Sequence, residues 1–169
     1  MKNWMKFGTL GLAGALLFGS AYDANAQSGR RVWVTIYRVA QDDDLDKPTP
    51  GITADRADFY AQIWINGKSY TSEVMSTDDG KPGWTHSVYV TGNTAKIRIK
   101  LCDDDGGLEN QDDYVDINPK KGKKDLEFTY NLRTKRFSGD ASGRRGQTIH
   151  RRGGGDTSQG HIWFTVKSS

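Results

Sequence analysis

The part of the sequence that could do the most chemistry is an acidic segment between residues 97 and 119. A strand-like run ends at Leu101, and the aspartates that follow are separated by little more than a Gly-Gly turn and a few polar residues. So many carboxylates in a short segment repel one another unless a cation lies among them. Ca²⁺ takes six to eight oxygen ligands from carboxylates and carbonyls, so it is the simplest candidate. The aspartates of this segment are Asp103, Asp104, Asp105, Asp112, Asp113 and Asp116.

The acidic segment does not match the helix-flanked calcium loop. That loop needs a glycine at its sixth position and a glutamate at its twelfth. Counted from Asp103, these positions hold Leu108 and Tyr114, and counted from Asp42 the sixth position holds Lys47. The sequence therefore favours a calcium site in loops of a different scaffold.

The sequence gives little support for a zinc site, a disulfide or an enzyme active site. Zinc is disfavoured because His86, His150 and His161 show no zinc-ligand spacing. Cys102 is the only cysteine, so no intrachain disulfide can form; it is expected to be half-buried at a strand end, with an intermolecular disulfide as the alternative. No nucleophile elbow, phosphate-binding loop or metalloprotease helix is present, and we predict that the protein is not an enzyme.

The first 26 residues have the pattern of an export signal. Lys2 and Lys6 precede an apolar run over residues 7–18 that is too short to span a bilayer, and Ala24-Asn25-Ala26 is a small-residue cleavage site. We therefore predict a secretory signal peptide over residues 1–26 and a single mature domain over residues 27–169. The expected location is secreted or periplasmic, with no transmembrane segment in the mature chain.

Hydrophobic patterning predicts the scaffold. Apolar and polar residues alternate over 31–40 and 95–101, as in strands with one buried face. Asn66-Gly67 is a strong hairpin-turn signal, and no segment has a sustained helical period. Short strands at regular spacing indicate an all-β, antiparallel, eight-stranded β-sandwich. The predicted strands are 31–40, 58–66, 69–75, 84–90, 95–101, 114–117, 125–132 and 161–166, with a Gly/Arg-rich loop at about 138–160.

The order of these features resembles that of a C2 domain. A loop after the first strand is followed by Asp58-Phe59-Tyr60, and Pro82-Gly83-Trp84 forms a corner before a strand. A later strand runs into Asp103 and Asp105, and Asp113-Tyr114-Val115 follows. The resemblance covers about residues 31–132 and implies a C2-like calcium-binding β-sandwich of a bacterial secreted type.

The resemblance also implies which residues bind calcium. Two loops at one end of the sandwich would hold the ion, Asp58 in the first of them and Asp103, Asp105 and Asp113 in the other. The first acid of the earlier loop is Asp44 or Asp46, because an insertion blurs the register. Asp104 and Asp112 are expected to face water or to support the site from outside. The further candidates are Asp55, Asp112 and Asp116, and Asp116 could instead cap the turn before Asn118-Pro119.

The sequence also contains two basic clusters, which form a second candidate site. Arg144, Arg145, Arg151 and Arg152 lie among glycines, and four lysines lie within residues 120–124. Basic patches attract phosphate groups, so the arginines form a weak candidate site for anions. The alternative is a solvated loop.

The resemblance implies a binding function in which calcium shapes the loops. The expected partners are calcium ions and an anionic lipid surface, a protein or a glycan; nucleic acid is not expected. One alternative is a calcium-stabilised carbohydrate-binding module that uses exposed aromatics such as Trp33, Trp64 and Trp84. Another is a structural cell-envelope protein in which calcium only stabilises the fold.

Overall fold

A computed structural model describes residues 29–42, 56–104, 113–155 and 157–169. Within these ranges the chain forms thirteen β-strands and no helix. The predicted signal peptide lies outside the described residues, and so do Asp44, Asp46, Asp55, Asp105 and Asp112. The strands are β1 Arg30–Gln41, β2 Asp58–Ile65, β3 Lys68–Thr71, β4 Met75–Ser76, β5 Asp79–Gly80, β6 Trp84–Val90, β7 Thr94–Asp103, β8 Asp113–Val115, β9 Leu126–Asn131, β10 Arg136–Gly139, β11 Gly143–Arg144, β12 Ile149–Arg152 and β13 Gly160–Ser168.

The strands form two sheets. The smaller sheet has the order β12-β13-β1-β5, with β6 also paired to β1. The larger sheet has the order β11-β10-β9-β7-β2-β3, with β4 paired to β2 and β8 paired to β7. All strand pairs are antiparallel. The predicted all-β sandwich is therefore confirmed.

The core lies between the inner faces of the two sheets. Val32, Val34 and Ile36 of β1 are fully buried, as their alternation predicts. The rings of Phe128 on β9 and Phe164 on β13 stack with centroids 5.5 Å apart, which joins one sheet to the other. Alternating strand sequences thus supply both walls of one hydrophobic core.

The Asn66-Gly67 turn between β2 and β3 is confirmed. Asn66 has φ 49° and Gly67 has φ 79°. A two-residue hairpin turn of this kind needs positive φ at both central positions, which Asn and Gly tolerate best. The turn fixes the register in which Ile65 pairs with Lys68.

The described residues form thirteen strands where the sequence predicts eight, because several of them have only two to four residues. The largest differences from the predicted bounds are in two places. The predicted strand 69–75 is two short strands, β3 and β4, because Ser72 between them turns inward and its Oγ accepts a hydrogen bond from the Ala61 N–H at 2.8 Å. The segment predicted as a Gly/Arg-rich loop contains β11, β12 and the last two residues of β10. These strands have four residues or fewer, so they are too short to show alternation.

Cys102 is fully buried in β7, rather than half-buried as predicted. Its partner across the sheet is Tyr60 on β2. This burial argues against the intermolecular disulfide that the sequence left open. Across the described ranges, the chain has no helix that is both long and apolar enough to cross a membrane.

Candidate metal centre

Strand register gathers three of the predicted calcium ligands at one end of the larger sheet. Asp103, the last residue of β7, pairs with Phe59 of β2 on one side and with Asp113 of β8 on the other. Asp58 is the residue before Phe59, so it lies beside the same strand end. Directly paired residues of antiparallel strands have Cβ atoms about 5 Å apart. The prediction that Asp58, Asp103 and Asp113 come together is therefore consistent with the register.

Asp103 is the fixed member of this group, which we call the aspartate cluster (Asp58, Asp103 and Asp113). Only 2% of the residue is exposed, and its Oδ2 atom is buried. Its Oδ1 atom accepts a hydrogen bond from the Asp58 N–H at 2.6 Å. The N–H of Asp104 in turn donates to the Asp58 carbonyl at 3.0 Å. These two bonds hold the ends of β2 and β7 together before the chain leaves the sheet.

Two members of the aspartate cluster stay outside the ion pairs of the described residues. Within the described ranges, neither Asp58 nor Asp113 takes part in a salt bridge. The acidic partners in those salt bridges are Asp42, Asp79, Asp125, Glu127 and Asp140. Gathered carboxylate oxygens are the donor set that a hard cation such as Ca²⁺ prefers. The chemistry of the cluster therefore fits the ion that the sequence predicts.

The described residues supply only part of a calcium cage. Among them, no three His, Cys, Asp or Glu side chains lie close enough together to hold a metal ion. A Ca²⁺ ion takes six to eight oxygens, so the three carboxylates of the cluster need further ligands. The remaining predicted ligands are Asp44, Asp46 and Asp105, with Asp55 and Asp112 as further candidates, and all five lie outside the described residues. These assignments stay predictions.

Asp116 has the capping role that the sequence left open as an alternative to metal binding. It is 3% exposed. Its Oδ1 accepts from the Asn118 N–H at 2.9 Å and its Oδ2 accepts from the Gly155 N–H at 2.8 Å. A Cβ atom on Gly153 would lie 2.3 Å from the Asp116 carbonyl oxygen, so the glycine-rich segment packs directly on this residue. Its carboxylate is thus engaged by backbone donors of two segments.

Asp140 is a buried carboxylate that the sequence analysis missed. Its side chain is 4% exposed, and it accepts hydrogen bonds from Lys120 Nζ at 2.8 Å, Asn118 Nδ2 at 3.1 Å and the Glu127 N–H at 3.2 Å. Burial raises the pKa of Asp140, but the hydrogen bonds from Lys120, Glu127 and Asn118 outweigh burial, so the pKa lies below its usual value. No local pattern signals this site, because its donors come from the turn that holds Asn118 and Lys120 and from Glu127 on β9, both distant in sequence from Asp140.

The lysine-rich turn, residues 120–124, lies at the same end of the larger sheet as the aspartate cluster. Strand β9 starts at Leu126, which pairs with Ile99 of β7, four residues before Asp103. Two of its lysines pair with Asp140, Lys120 at 2.8 Å and Lys123 at 3.8 Å. The exposed turn therefore places lysines at the same end of the larger sheet as the aspartate cluster.

The four arginines predicted as an anion site are divided between the two sheets. Arg144 is on β11 of the larger sheet, whereas Arg151 and Arg152 are on β12 of the smaller one. Arg145 Nε donates to the Ser168 carbonyl at 2.9 Å, and Arg152 forms a salt bridge with Asp42. The structure thus distributes them over two places, and anion binding by them stays a prediction.

The three tryptophans of the carbohydrate-binding alternative have different environments. Trp84 is 7% exposed and belongs to the core, so its prediction as an exposed aromatic is wrong. It is buried because β6 begins there, on the inner face of the smaller sheet. Trp33 and Trp64 are half-buried, with Arg31 5.9 Å and Arg98 5.2 Å from the respective ring centroids.

Comparison with solved structures decides the fold. The calcium-bound structure of the two C2 domains of Extended-Synaptotagmin 2 matches with a TM-score of 0.55 and 12% identity, covering 83% of this chain and 45% of that one. A structure described as a C2 domain matches with a TM-score of 0.51 and 11% identity, covering 83% of this chain and 98% of that one. The chain has the fold of a C2 domain. A single C2 domain of plant Extended Synaptotagmin 1 agrees, with a TM-score of 0.50, 12% identity and coverage of 84% and 95%.

This C2-like chain spans about half the length of the two-domain structure and nearly all of the single domains. No protein-family model matches it, and no curated protein matches it in sequence. At 11–12% identity the likeness establishes the fold. The resemblance to C2 domains is therefore confirmed, while the bacterial secreted type stays a prediction.

Proposed function

We propose that the protein is an exported, non-enzymatic, calcium-binding C2-like module that docks on an anionic membrane surface when calcium is bound. The observation that carries the proposal is the β2–β7–β8 register, which gathers Asp58, Asp103 and Asp113 at one end of the fold. In the sequence, residues 105–112 join Asp104 to Asp113 and residues 43–55 end two residues before Ala57, and these segments contain the other predicted ligands. The calcium ligands would thus come from two loops that the strands hold side by side.

The charge distribution supports an anionic partner. Without a bound cation, the carboxylates of the aspartate cluster would repel a negatively charged membrane surface. Calcium would remove this repulsion and leave the nearby lysine-rich turn as the dominant charge at that end. Each basic residue near an anionic membrane surface contributes about 1 kcal/mol of attraction. Lys121 and Lys124 are exposed, and their side chains can contribute in this way.

Export follows from the proposed signal peptide over residues 1–26. Outside a cell calcium is abundant, so even a weak site would be filled. The ion would then have a constitutive role, holding the loops in a docking conformation. We propose a secreted or periplasmic location on the same basis.

Vesicle binding tests the docking proposal. The protein is incubated with vesicles of phosphatidylserine and phosphatidylcholine, with calcium or with chelator, and sedimented. We expect binding to the anionic vesicles only with calcium, and its loss in the Asp113→Asn and Asp105→Asn variants. Glu127→Gln is the matched control, because Glu127 is an exposed carboxylate on the outer face of the larger sheet.

The outcomes separate the three functions considered. Equal binding with calcium and chelator, or no binding to anionic vesicles, would reject docking. Binding to glycans that depends on Trp33 or Trp64 would favour the carbohydrate-binding module, although burial of Trp84 already weakens that alternative. Strong stabilisation by calcium without any binding partner would favour the structural envelope role.

A further inference from the structure

Pairing of β12 with β13 brings together two histidines that are far apart in sequence. His150 pairs with Trp163, and His161 pairs with Arg152, so the two histidines are diagonal neighbours on one face of the smaller sheet. His150 Nε2 lies 2.7 Å from His161 Nδ1. We propose that His150 and His161 form a second metal site, for a first-row transition metal ion such as Zn²⁺ or Cu²⁺, separate from the calcium loops.

Hydrogen bonding fixes which nitrogen of His161 can bind a metal. Its Nε2 lies 2.6 Å from Asp42 Oδ1. A carboxylate accepts hydrogen bonds, so Nε2 carries the proton and Nδ1 keeps its lone pair. That lone pair points at His150 Nε2. A carboxylate on the far nitrogen of a metal-binding histidine is the usual arrangement that orients the ring and raises its basicity.

Asp42 is itself held in place. Arg152 forms a salt bridge with its Oδ2 atom, while its Oδ1 atom faces His161. Its backbone N–H donates to the Gln159 carbonyl at 3.0 Å. These contacts hold the carboxylate in position to orient the His161 ring.

The two imidazoles need only a small movement to share one ion. Two nitrogens at typical zinc–nitrogen distances of about 2.1 Å are about 3.0 to 3.4 Å apart when they occupy neighbouring positions on the metal. In the structure His150 Nε2 and His161 Nδ1 are 2.7 Å apart, and one hydrogen bond joins them. The exposed His150 ring can tilt, transfer its proton from Nε2 to Nδ1 and present both lone pairs to the ion. Water would complete the coordination, since no third His, Cys, Asp or Glu of the described residues converges here.

An aromatic ring packs against His150, the exposed member of the pair. His150 stacks on Trp163 with ring centroids 4.4 Å apart, and this packing limits its solvation. Positive charge beside the pair would oppose a bound metal cation. The nearby Arg38 is balanced by Asp79, whose carboxylate accepts its hydrogen bonds at 2.7 and 2.9 Å.

The third histidine supplies a matched control. His86 on β6 stacks on Tyr70 with centroids 5.6 Å apart and contacts the Lys68 carbonyl at 3.2 Å. It lies on a different strand from His150 and His161, beyond β1. A single histidine at that position lacks the pair of converging nitrogens.

Calorimetric titration of the untagged protein with Zn²⁺ and with Cu²⁺, in saturating calcium, tests the proposal. We expect one equivalent of metal, and an affinity lower by about tenfold or more in His150→Ala and in His161→Ala, since even loss of an outer-shell partner costs about 10- to 100-fold. His86→Ala should bind as the wild type does. Thermal unfolding of each variant checks that the fold is retained, and His150→Ala should perturb the fold least because His150 is exposed.

Three results would overturn the proposal. The first is transition-metal binding that is unchanged in His150→Ala. The second is an equal loss in His86→Ala, which would indicate nonspecific binding by surface histidines. The third is competition between Zn²⁺ and calcium, which would assign the metal to the aspartate cluster. Calcium binding by His150→Ala should be unchanged, so this test and the test of the proposed function fail independently.

Discussion

Two groups of aspartates lie at the same end of this sandwich and are held in different ways. Asp116 and Asp140 are buried, and backbone or side-chain donors from other segments engage their oxygens. In the aspartate cluster, strand register places three aspartates at one strand end, and among the described residues Asp58 and Asp113 have no salt-bridge partner. The first group stabilises the fold through protein donors, whereas under the proposed function the second would be completed by a calcium ion from solution.

Removal of Asp140 should have the largest effect on stability. In Asp140→Ala the buried Asn118 amide loses one of its two acceptors, the Glu127 N–H loses the Asp140 carboxylate, and Lys120 loses its ion pair. We expect the free energy of unfolding to fall by about 2 to 4 kcal/mol, with or without calcium, because buried donors are left without partners. Urea unfolding in chelator measures this. A variant as stable as the wild type would show that Asp140 does not stabilise the fold.

Lowering the pH should have the next largest effect, because it protonates buried aspartates that stabilise the fold. The pKa values of Asp140 and Asp42 lie below the ordinary value of 3.8, so the unfolded chain binds protons before the folded chain does. Their contribution to stability is therefore complete above about pH 4 to 5 and is lost as the pH falls through their folded pKa values. Urea unfolding between pH 6 and pH 3 in chelator should show this loss, with a shallower slope in Asp140→Ala. Identical slopes would contradict the lowered pKa of Asp140.

When calcium is absent, replacing a carboxylate of the aspartate cluster should not lower the free energy of unfolding as replacing Asp140 does. Asp113 is exposed and paired across the strands with Asp103, so Asp113→Asn removes repulsion and no salt bridge of the described residues. In chelator we expect the free energy of unfolding to change by less than about 0.5 kcal/mol, or to rise slightly. A large loss of stability in chelator would show that Asp113 has a structural role like that of Asp140.

The sequence predicts those parts of the molecule that depend on local patterns. Alternation locates the long strands, and the sandwich interior follows from residues such as Val34 and Ile99, both fully buried. Asn66-Gly67 predicts its turn because positive φ at two successive residues strongly selects these types. The register that brings Asp58 to Asp103 was accessible only through the resemblance to C2 domains, which assigned both residues to one site.

Features that depend on contacts between distant segments could not be predicted. The donors to Asp140 come from Asn118, Lys120 and Glu127, and each of them looks like an ordinary loop or surface residue in sequence. His150 and His161 are eleven residues apart, and only the pairing of a four-residue strand with β13 makes them neighbours. Strand β12 has only four residues and cannot be predicted from periodicity, so the sequence does not show that the two histidines are neighbours.

The central claim, that the aspartate cluster is half of a calcium site, is tested most directly by the free energy of unfolding measured with calcium and with chelator. Calcium at about 100 times its dissociation constant should stabilise the protein by about 2.7 kcal/mol. The increment should vanish in Asp105→Asn and Asp113→Asn but persist in Asp140→Ala. Equal unfolding free energies with calcium and chelator in the wild-type protein would contradict the account.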